Sequence, residues 1–466
     1  MKVSQYTLIF PFDGKFLILN SLTQALSIVP KPYHDLLQRM RAGVAFPDDD
    51  HHPLVDELYE QGFLVPDSTD ETVFARSQMA AIRPVLSAQL RQEIVIVPTF
   101  SCNLTCAYCF QHAGRHDGEA RVPVNTLASS DVMSGPMIDA AFDAVDAFPG
   151  AGQRVITLFG GEPLINSPRL RAANERICRK TRERGWDLRI YTNGIDLVGS
   201  TDLVRAYRPD FQVTFHDFCD RAGDFRESPL FRKWLAGIRA AAAEGVRVTI
   251  RINVSAADVD LMPNVCRRFV QSGLFSSKNV RAYFTPVLNK NFGEAGYDQG
   301  AMRVLGRLLD LRQMNSSMQA VDFIGWKVLD YFKAMGGNRD VPVPRFVRCP
   351  AMENLLCFDV SGMIYPCYEL AGFPQYAVGS YYPKLALDRE KYARWQSRTI
   401  LHEAARSCGA CPTATVCGGG CAADSLRREN DLHAASCEVT PAELGHFIER
   451  HPELVRRAIS GKRLFD

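Results

Sequence analysis

Cys102, Cys106 and Cys109 stand in the stretch Cys102-Asn103-Leu104-Thr105-Cys106-Ala107-Tyr108-Cys109, with three and then two residues between them. Three thiolates can hold three irons of a four-iron cluster and leave the fourth without a protein ligand. Clusters built for electron transfer alone usually take four cysteines. An open coordination position is what a catalytic metal keeps for substrate or cofactor. The competing chemistry is a zinc knuckle completed by His112. Eight more cysteines follow late in the chain: Cys349, Cys357, Cys367, Cys408, Cys411, Cys417, Cys421 and Cys437. Eight thiolates suffice for two fully coordinated four-iron clusters, although Cys408-x2-Cys411 is also zinc spacing, so paired structural zinc sites are the alternative. Gly362 and the run Gly418-Gly419-Gly420 lie among these cysteines, where a chain wrapped around a bulky group needs close backbone approach. Cys178, Cys219 and Cys266 fit no ligand pattern. Cys178 and Cys266 fall in helix-like segments and read as buried apolar residues, and Cys219 falls near the rim of the expected cavity.

The elements that must position these thiols alternate. Strand-like runs at 93–98, 154–159, 188–192, 210–215, 246–254 and 279–285 are separated by helix-period segments near 135–148, 168–185, 200–207, 229–244 and 258–272. Such alternation implies parallel strands joined by crossover helices. Along three of the strands the faces differ. Val246, Val248, Ile250, Ile252 and Val254 oppose Arg247, Thr249, Arg251 and Asn253; Phe211, Val213 and Phe215 oppose Gln212, Thr214 and His216; Val280, Ala282 and Phe284 oppose Arg281, Tyr283 and Thr285. The apolar faces must meet the helices, which turns the polar faces inward. A polar interior suits a charged cofactor and a peptide, unlike the packed apolar lumen of a closed barrel.

Composition sets the class. The chain has 466 residues, enough for two to four domains, with 46% hydrophobic and 23% charged residues. A formal charge of +2 leaves no footprint for nucleic acid or anionic lipid. The first twenty residues, broken by Pro11 and Gly14, contain no apolar stretch suited to a signal peptide or membrane span. Fourteen cysteines in an unexported chain imply reduced, metal-binding thiols and a cytoplasmic location. Residues 1–64 read as a strand pair at Tyr6–Phe10 and Phe16–Asn20, a third strand at Ala25–Val29, and helices near 31–42 and 53–62, with Gly62 as a C-cap. Residues 66–91 read as a polar linker and bridging helix, 111–134 as a polar, lid-like loop, and 300–345 as a helical connector.

The cysteine triplet resembles the signature of the radical S-adenosylmethionine (SAM) enzymes, and the late cysteines resemble the SPASM auxiliary-cluster domain attached to many peptide-modifying members. The resemblance implies an α/β fold: a partial (β/α)6 TIM-like barrel at 90–300, a helical connector at 301–345, a SPASM domain at 346–445 and a C-terminal helix at 446–466. Residues 1–75 form a small α+β domain that loosely resembles the winged-helix modules that recognise leader peptides by strand addition. The pattern implies that Cys102, Cys106 and Cys109 hold the SAM-binding cluster, that Cys349, Cys357, Cys367 and Cys421 hold one auxiliary cluster, and that Cys408, Cys411, Cys417 and Cys437 hold the other. Gly160-Gly161-Glu162-Pro163 matches the family's GGE motif, in which Glu162 would accept hydrogen bonds from the SAM ammonium. Tyr108 matches the position that contacts adenine. Asn193, in Thr192-Asn193-Gly194, together with Thr214 and Arg251, falls where the rest of the cofactor is held. His216 stands where relatives often have an acid.

The same resemblance implies a peptide maturase that uses three [4Fe-4S] clusters and SAM. In the family, reductive cleavage of SAM gives a 5′-deoxyadenosyl radical that removes a substrate hydrogen. The expected product is a side-chain cross-link, a thioether or a C–C or C–O bond, in a ribosomally made precursor peptide. An electron donor such as flavodoxin or ferredoxin is implied, with no nucleic-acid or membrane partner. Two alternatives stand beside this. A formylglycine-forming maturase would carry an acid directly after Cys367, where this chain has Tyr368 and only then Glu369. A non-catalytic iron–sulfur electron-transfer protein would not need the triplet or Glu162.

Overall fold

The computed structural model describes residues 1–44, 53–89, 91–104, 106, 108–113, 131–148, 153–215, 228–287, 300–336, 343–348, 354–403, 405–437 and 439–465. Their contacts divide the chain into two compact units, one of residues 88–324 and 350–396, the other of residues 1–87, 325–349 and 397–466. The expected 346–445 segment is therefore shared between them.

The first unit is built on an eleven-stranded sheet. Neighbouring strands Val321–Phe323, Val280–Pro286, Val248–Val254, Asp210–Phe215, Asp187–Thr192, Arg154–Leu158, Gln92–Val97 and Leu355–Asp359 run parallel in that order. Met363–Tyr365, Gly379–Ser380 and Ala386–Leu387 follow, antiparallel. All six expected barrel strands are present. Two further parallel strands flank them: Val321–Phe323 lies inside the expected helical connector, and Leu355–Asp359 carries Cys357. A three-residue strand is too short to show a period of two. It forms because Ala282, Tyr283 and Phe284 offer it an open ladder.

Helices Gly135–Ala147, Pro168–Glu183, Thr201–Tyr207, Pro229–Ala243 and Met262–Gln271 separate the strands. Four of them start with proline at their first or second position, where its missing N–H and fixed φ suit a helix N-terminus. Ser228 also caps Pro229–Ala243, its side chain accepting from the Phe231 N–H at 3.3 Å. The inward and outward faces are as the alternation predicts. Val248, Ile250 and Ile252 are fully buried against the helix layer, while Thr249, Arg251 and Asn253 are half-buried on the other face. On the helix side Trp234 stacks between Phe231 and Phe269, with ring centroids 5.7 and 5.6 Å away, and Phe215 meets it edge-on at 5.5 Å.

The second unit begins with a three-stranded antiparallel sheet, Thr7–Phe12, Lys15–Asn20 and Leu26–Val29. Asp13 and Gly14 join the first two strands with φ of 50° and 72°, the positive values that a two-residue hairpin turn requires. Helices Lys31–Arg41 and Pro53–Glu60 cover this sheet around Ile18, Leu36, Leu37, Leu58 and Phe63. The expected C-terminal helix is two helices, Pro441–Arg450 and Pro452–Ile459, interrupted where Pro452 cannot supply an N–H.

Candidate functional site

A cavity of about 200 Å³ opens at the carboxyl ends of the barrel strands, where parallel α/β sheets place their ligands. Cys102, Cys106 and Cys109 line it together. Its walls include Tyr108, Gly160, Gly161, Asn193, Thr214 and Arg251, so six of the seven expected cofactor contacts converge with the thiols. Strand register explains the convergence. Arg251 lies beside Thr214 on one neighbouring strand and beside Tyr283 on the other. Its Nε donates to Asn253 Oδ1 at 2.9 Å, and Tyr283 Oη donates to Gln212 Oε1 at 2.8 Å. A floor of hydrogen-bonded polar groups is thus held in place by the pleat.

Glu162, the seventh, is buried beside this cavity at 1% exposure. Its Oε1 accepts from the Leu164 N–H at 2.8 Å and the Thr192 hydroxyl at 2.6 Å, and its Oε2 accepts from the Asn193 N–H at 2.6 Å. Burial pushes its carboxyl up to about 7, against the pull of those three hydrogen bonds. The preceding glycines serve backbone packing. A Cβ on Gly160 would sit 2.4 Å from the Thr99 carbonyl oxygen, and one on Gly161 only 2.1 Å from that of Ser101. The pair lets the Gly161 and Glu162 N–H groups donate to the Thr99 and Ser101 carbonyls at 3.0 and 2.8 Å, which docks this loop onto the segment leading into Cys102.

Several lining residues were not singled out from sequence. Tyr191, Gln212 and Asn253 belong to the polar strand faces, and the alternation pointed at two of them without distinguishing a site. Tyr368 and Glu369 also line the cavity, and the Tyr368 ring lies 4.9 Å from that of Phe159. His216, Cys219 and Cys349 lie outside the described residues, as does most of the expected lid at 111–134. Cys178 and Cys266 are buried in helices, as their setting predicted.

The twelve described cysteines remain thiols. Burial pushes Cys102 and Cys106 up to about 12, and the charges of the neighbouring cysteines add to the shift. Thiols that resist ionisation alone but face one another fit a cationic iron core, which would neutralise three thiolates at once. In the same unit Cys357 is raised by burial, by Asp359 and by its neighbour Cys367. In the other unit Cys408 is pushed up to about 11 by burial and by Cys417, Cys437 and Cys411, so those four thiols form one neighbourhood. Cys421 stands in that unit too, at the start of helix Ala422–Glu429. Among the described residues no three His, Cys, Asp or Glu side chains converge as on a single metal ion.

Residues 96–255 match the sequence profile of the radical SAM superfamily. This stretch is a radical SAM domain. The chain is an enzyme, and its family implies SAM and a [4Fe-4S] cluster. It is similar to pre-heme d1 synthase of Dinoroseobacter shibae, 23% identical over 381 residues that cover 74% of this chain and 86% of that protein. Its fold is similar to that of native anSMEcpe with bound AdoMet, with a TM-score of 0.54 at 16% identity over 79% of this chain and 100% of that one. It is also similar to that of Streptococcus suis SuiB bound to precursor peptide SuiA, with a TM-score of 0.50 at 13% identity over 94% of this chain and 98% of that one. The radical SAM match spans the strands that carry the triplet, Glu162, Asn193, Thr214 and Arg251. No described helix is long and apolar enough to cross a membrane.

Proposed function

We propose that this radical SAM enzyme modifies a ribosomally made peptide, forming a side-chain cross-link. The observation that supports this best is the cavity in which three thiols face a polar wall of Gln212, Thr214, Arg251 and Asn253. Cys102, Cys106 and Cys109 would hold the cluster, with Glu162 and Asn193 on the ammonium side of SAM, and Thr214 and Arg251 along its ribose and carboxylate. Bound there, the cluster and SAM would supply one-electron cleavage and a carbon-centred radical able to abstract hydrogen. The chain's own task is to orient the substrate hydrogen and exclude water. The aromatic side of the cavity, Phe110, Phe159 and Tyr368, provides a dry wall for an apolar or aromatic substrate side chain. SuiB, whose fold this chain shares, is seen with a precursor peptide, which favours a peptide substrate. The late cysteines would carry two auxiliary clusters, the electron would come from a flavodoxin or ferredoxin, and the site of action would be the cytoplasm.

The test is anaerobic reconstitution, followed by reduction with dithionite in the presence of SAM and candidate precursor peptides. The expected products are 5′-deoxyadenosine and a peptide lighter by H2 for each cross-link. A peptide in which oxygen replaces sulfur would instead point to formylglycine formation. Failure to cleave SAM would sink the catalytic reading altogether.

A further inference from the structure

Asn103 lies inside the cysteine triplet, between Cys102 and Cys106, and its amide is engaged on both sides. Its Oδ1 accepts from Asn193 Nδ2 at 2.6 Å, and its Nδ2 donates to Asp196 Oδ2 at 3.1 Å. Asp196 Oδ1 in turn accepts from Lys233 Nζ at 2.5 Å, from the exposed side of helix Pro229–Ala243. Asn193 is fixed from behind, because its own N–H donates to Glu162 and its Oδ1 accepts from the Ile195 N–H at 3.0 Å. A side-chain hydrogen bond from Asn193 also reaches Cys102 and favours its thiolate.

These bonds form one continuous chain from Glu162 through Asn193, Asn103 and Asp196 to Lys233. One end is the carboxylate assigned above to the SAM ammonium, and the middle is the loop that carries the first two cluster cysteines. We propose that Asn103 and Asp196 are positioning residues that hold the cluster loop in register with the SAM side of the cavity. This rests on the reading that the cavity binds SAM. The direction of each bond matters. Asn193 must donate to position 103, and position 103 must donate to the charged Asp196, so an amide is required at 103. The Asp196 carboxylate gains from one ammonium and one amide donor, and such charge-assisted bonds are the stronger kind. A chain of this sort transmits geometry only while every donor faces an acceptor.

The directionality supplies its own test. Asn103→Asp sets two carboxylates against each other across a 3.1 Å contact. Asn103→Asp combined with Asp196→Asn exchanges the groups: the carboxylate at 103 accepts from both Asn193 and the amide introduced at position 196, and Lys233 still finds a carbonyl oxygen. SAM affinity of the full-length reconstituted protein, iron content, and the change that SAM causes in the electron paramagnetic resonance spectrum of the reduced triplet cluster would be measured for wild type and both variants. The single variant is expected to lose about tenfold or more in SAM affinity and to weaken the spectral change, the loss typical of a charged hydrogen bond made repulsive. The double variant is expected to return to within about threefold of wild type, since it restores each donor–acceptor pair. If the single variant sheds its iron, recovery of both iron and affinity in the double variant supports the proposal equally. A single variant indistinguishable from wild type, or a double variant no better than the single, overturns it. Failure of the wild type itself to bind SAM would be a separate result, against the functional reading of the cavity.

Discussion

Glu162 concentrates the site's electrostatics in one carboxylate. Three donors converge on it, so Glu162→Gln changes more than charge: the new NH2 must face the Asn193 N–H or compete for the Thr192 and Leu164 donors. A buried donor left unpaired costs roughly 1–3 kcal/mol. We expect Glu162→Gln to lower stability to urea by about that amount and to weaken SAM binding as well. A pH effect arises from the raised carboxyl. Its value of about 7 exceeds the ordinary 4.5, so the folded protein holds this proton more tightly than the unfolded chain does. That contribution to stability is complete below about 4.5 and is lost as pH rises through about 7. An ammonium ligand needs the ionised form, so SAM affinity should move the opposite way. Calorimetric titration should show it climbing with pH and levelling off above about 7. A profile that is flat for wild type would contradict the assignment of Glu162 to the ammonium, and Glu162→Gln should flatten it.

At the level of elements, the loop after strand Arg154–Leu158 and the segment after strand Gln92–Val97 are locked together through Gly160 and Gly161. A methyl group at position 161 would lie 2.1 Å from a carbonyl oxygen, which no side-chain rotation relieves. Gly161→Ala should therefore shift the segment that enters Cys102 and cost about 1–3 kcal/mol, as overpacking does. Its distinguishing signature would be depleted triplet iron at a urea concentration where wild type keeps its full complement. The outer layer answers to a different rule. Trp234 is fully buried between two phenylalanine rings and against Phe215. Trp234→Ala should cost about 3–5 kcal/mol, read as a lowered unfolding midpoint. Because Lys233 precedes it on the same helix, that variant would also test whether the helix steadies Asp196.

For the whole molecule, the two compact units divide the thiols. The triplet, Cys357 and Cys367 fall in the sheet unit, and Cys408, Cys411, Cys417, Cys421 and Cys437 fall in the other. If all eleven candidate ligands serve three clusters, reconstituted protein should hold about twelve irons. Cys408→Ala with Cys411→Ala should leave about eight, since a four-iron cluster rarely survives loss of two thiolates. That variant keeps every residue of the SAM cavity. It should still release 5′-deoxyadenosine while failing to release modified peptide, with circular dichroism confirming its fold. Normal peptide modification by a variant shown to lack that cluster would leave the late thiols a structural role only.

Much of the barrel and its site was legible from one dimension. A period of two along Val248–Val254 told which residues face inward, because a strand's side chains alternate whatever else surrounds them. Cysteine spacing named the triplet for a similar reason, since three ligands on one short loop can reach a single cluster. Strand Val321–Phe323 was not legible because three residues carry no pattern; its partner strand makes it a strand. The burial of Glu162, the clash that demands Gly161 and the Asn193–Asn103–Asp196 chain are also products of tertiary structure. Each depends on which loops from different strands arrive at the same barrel rim. Local periodicity determines the face a residue presents, but only the closed packing of distant segments decides which polar atoms meet there and in which direction their hydrogen bonds run.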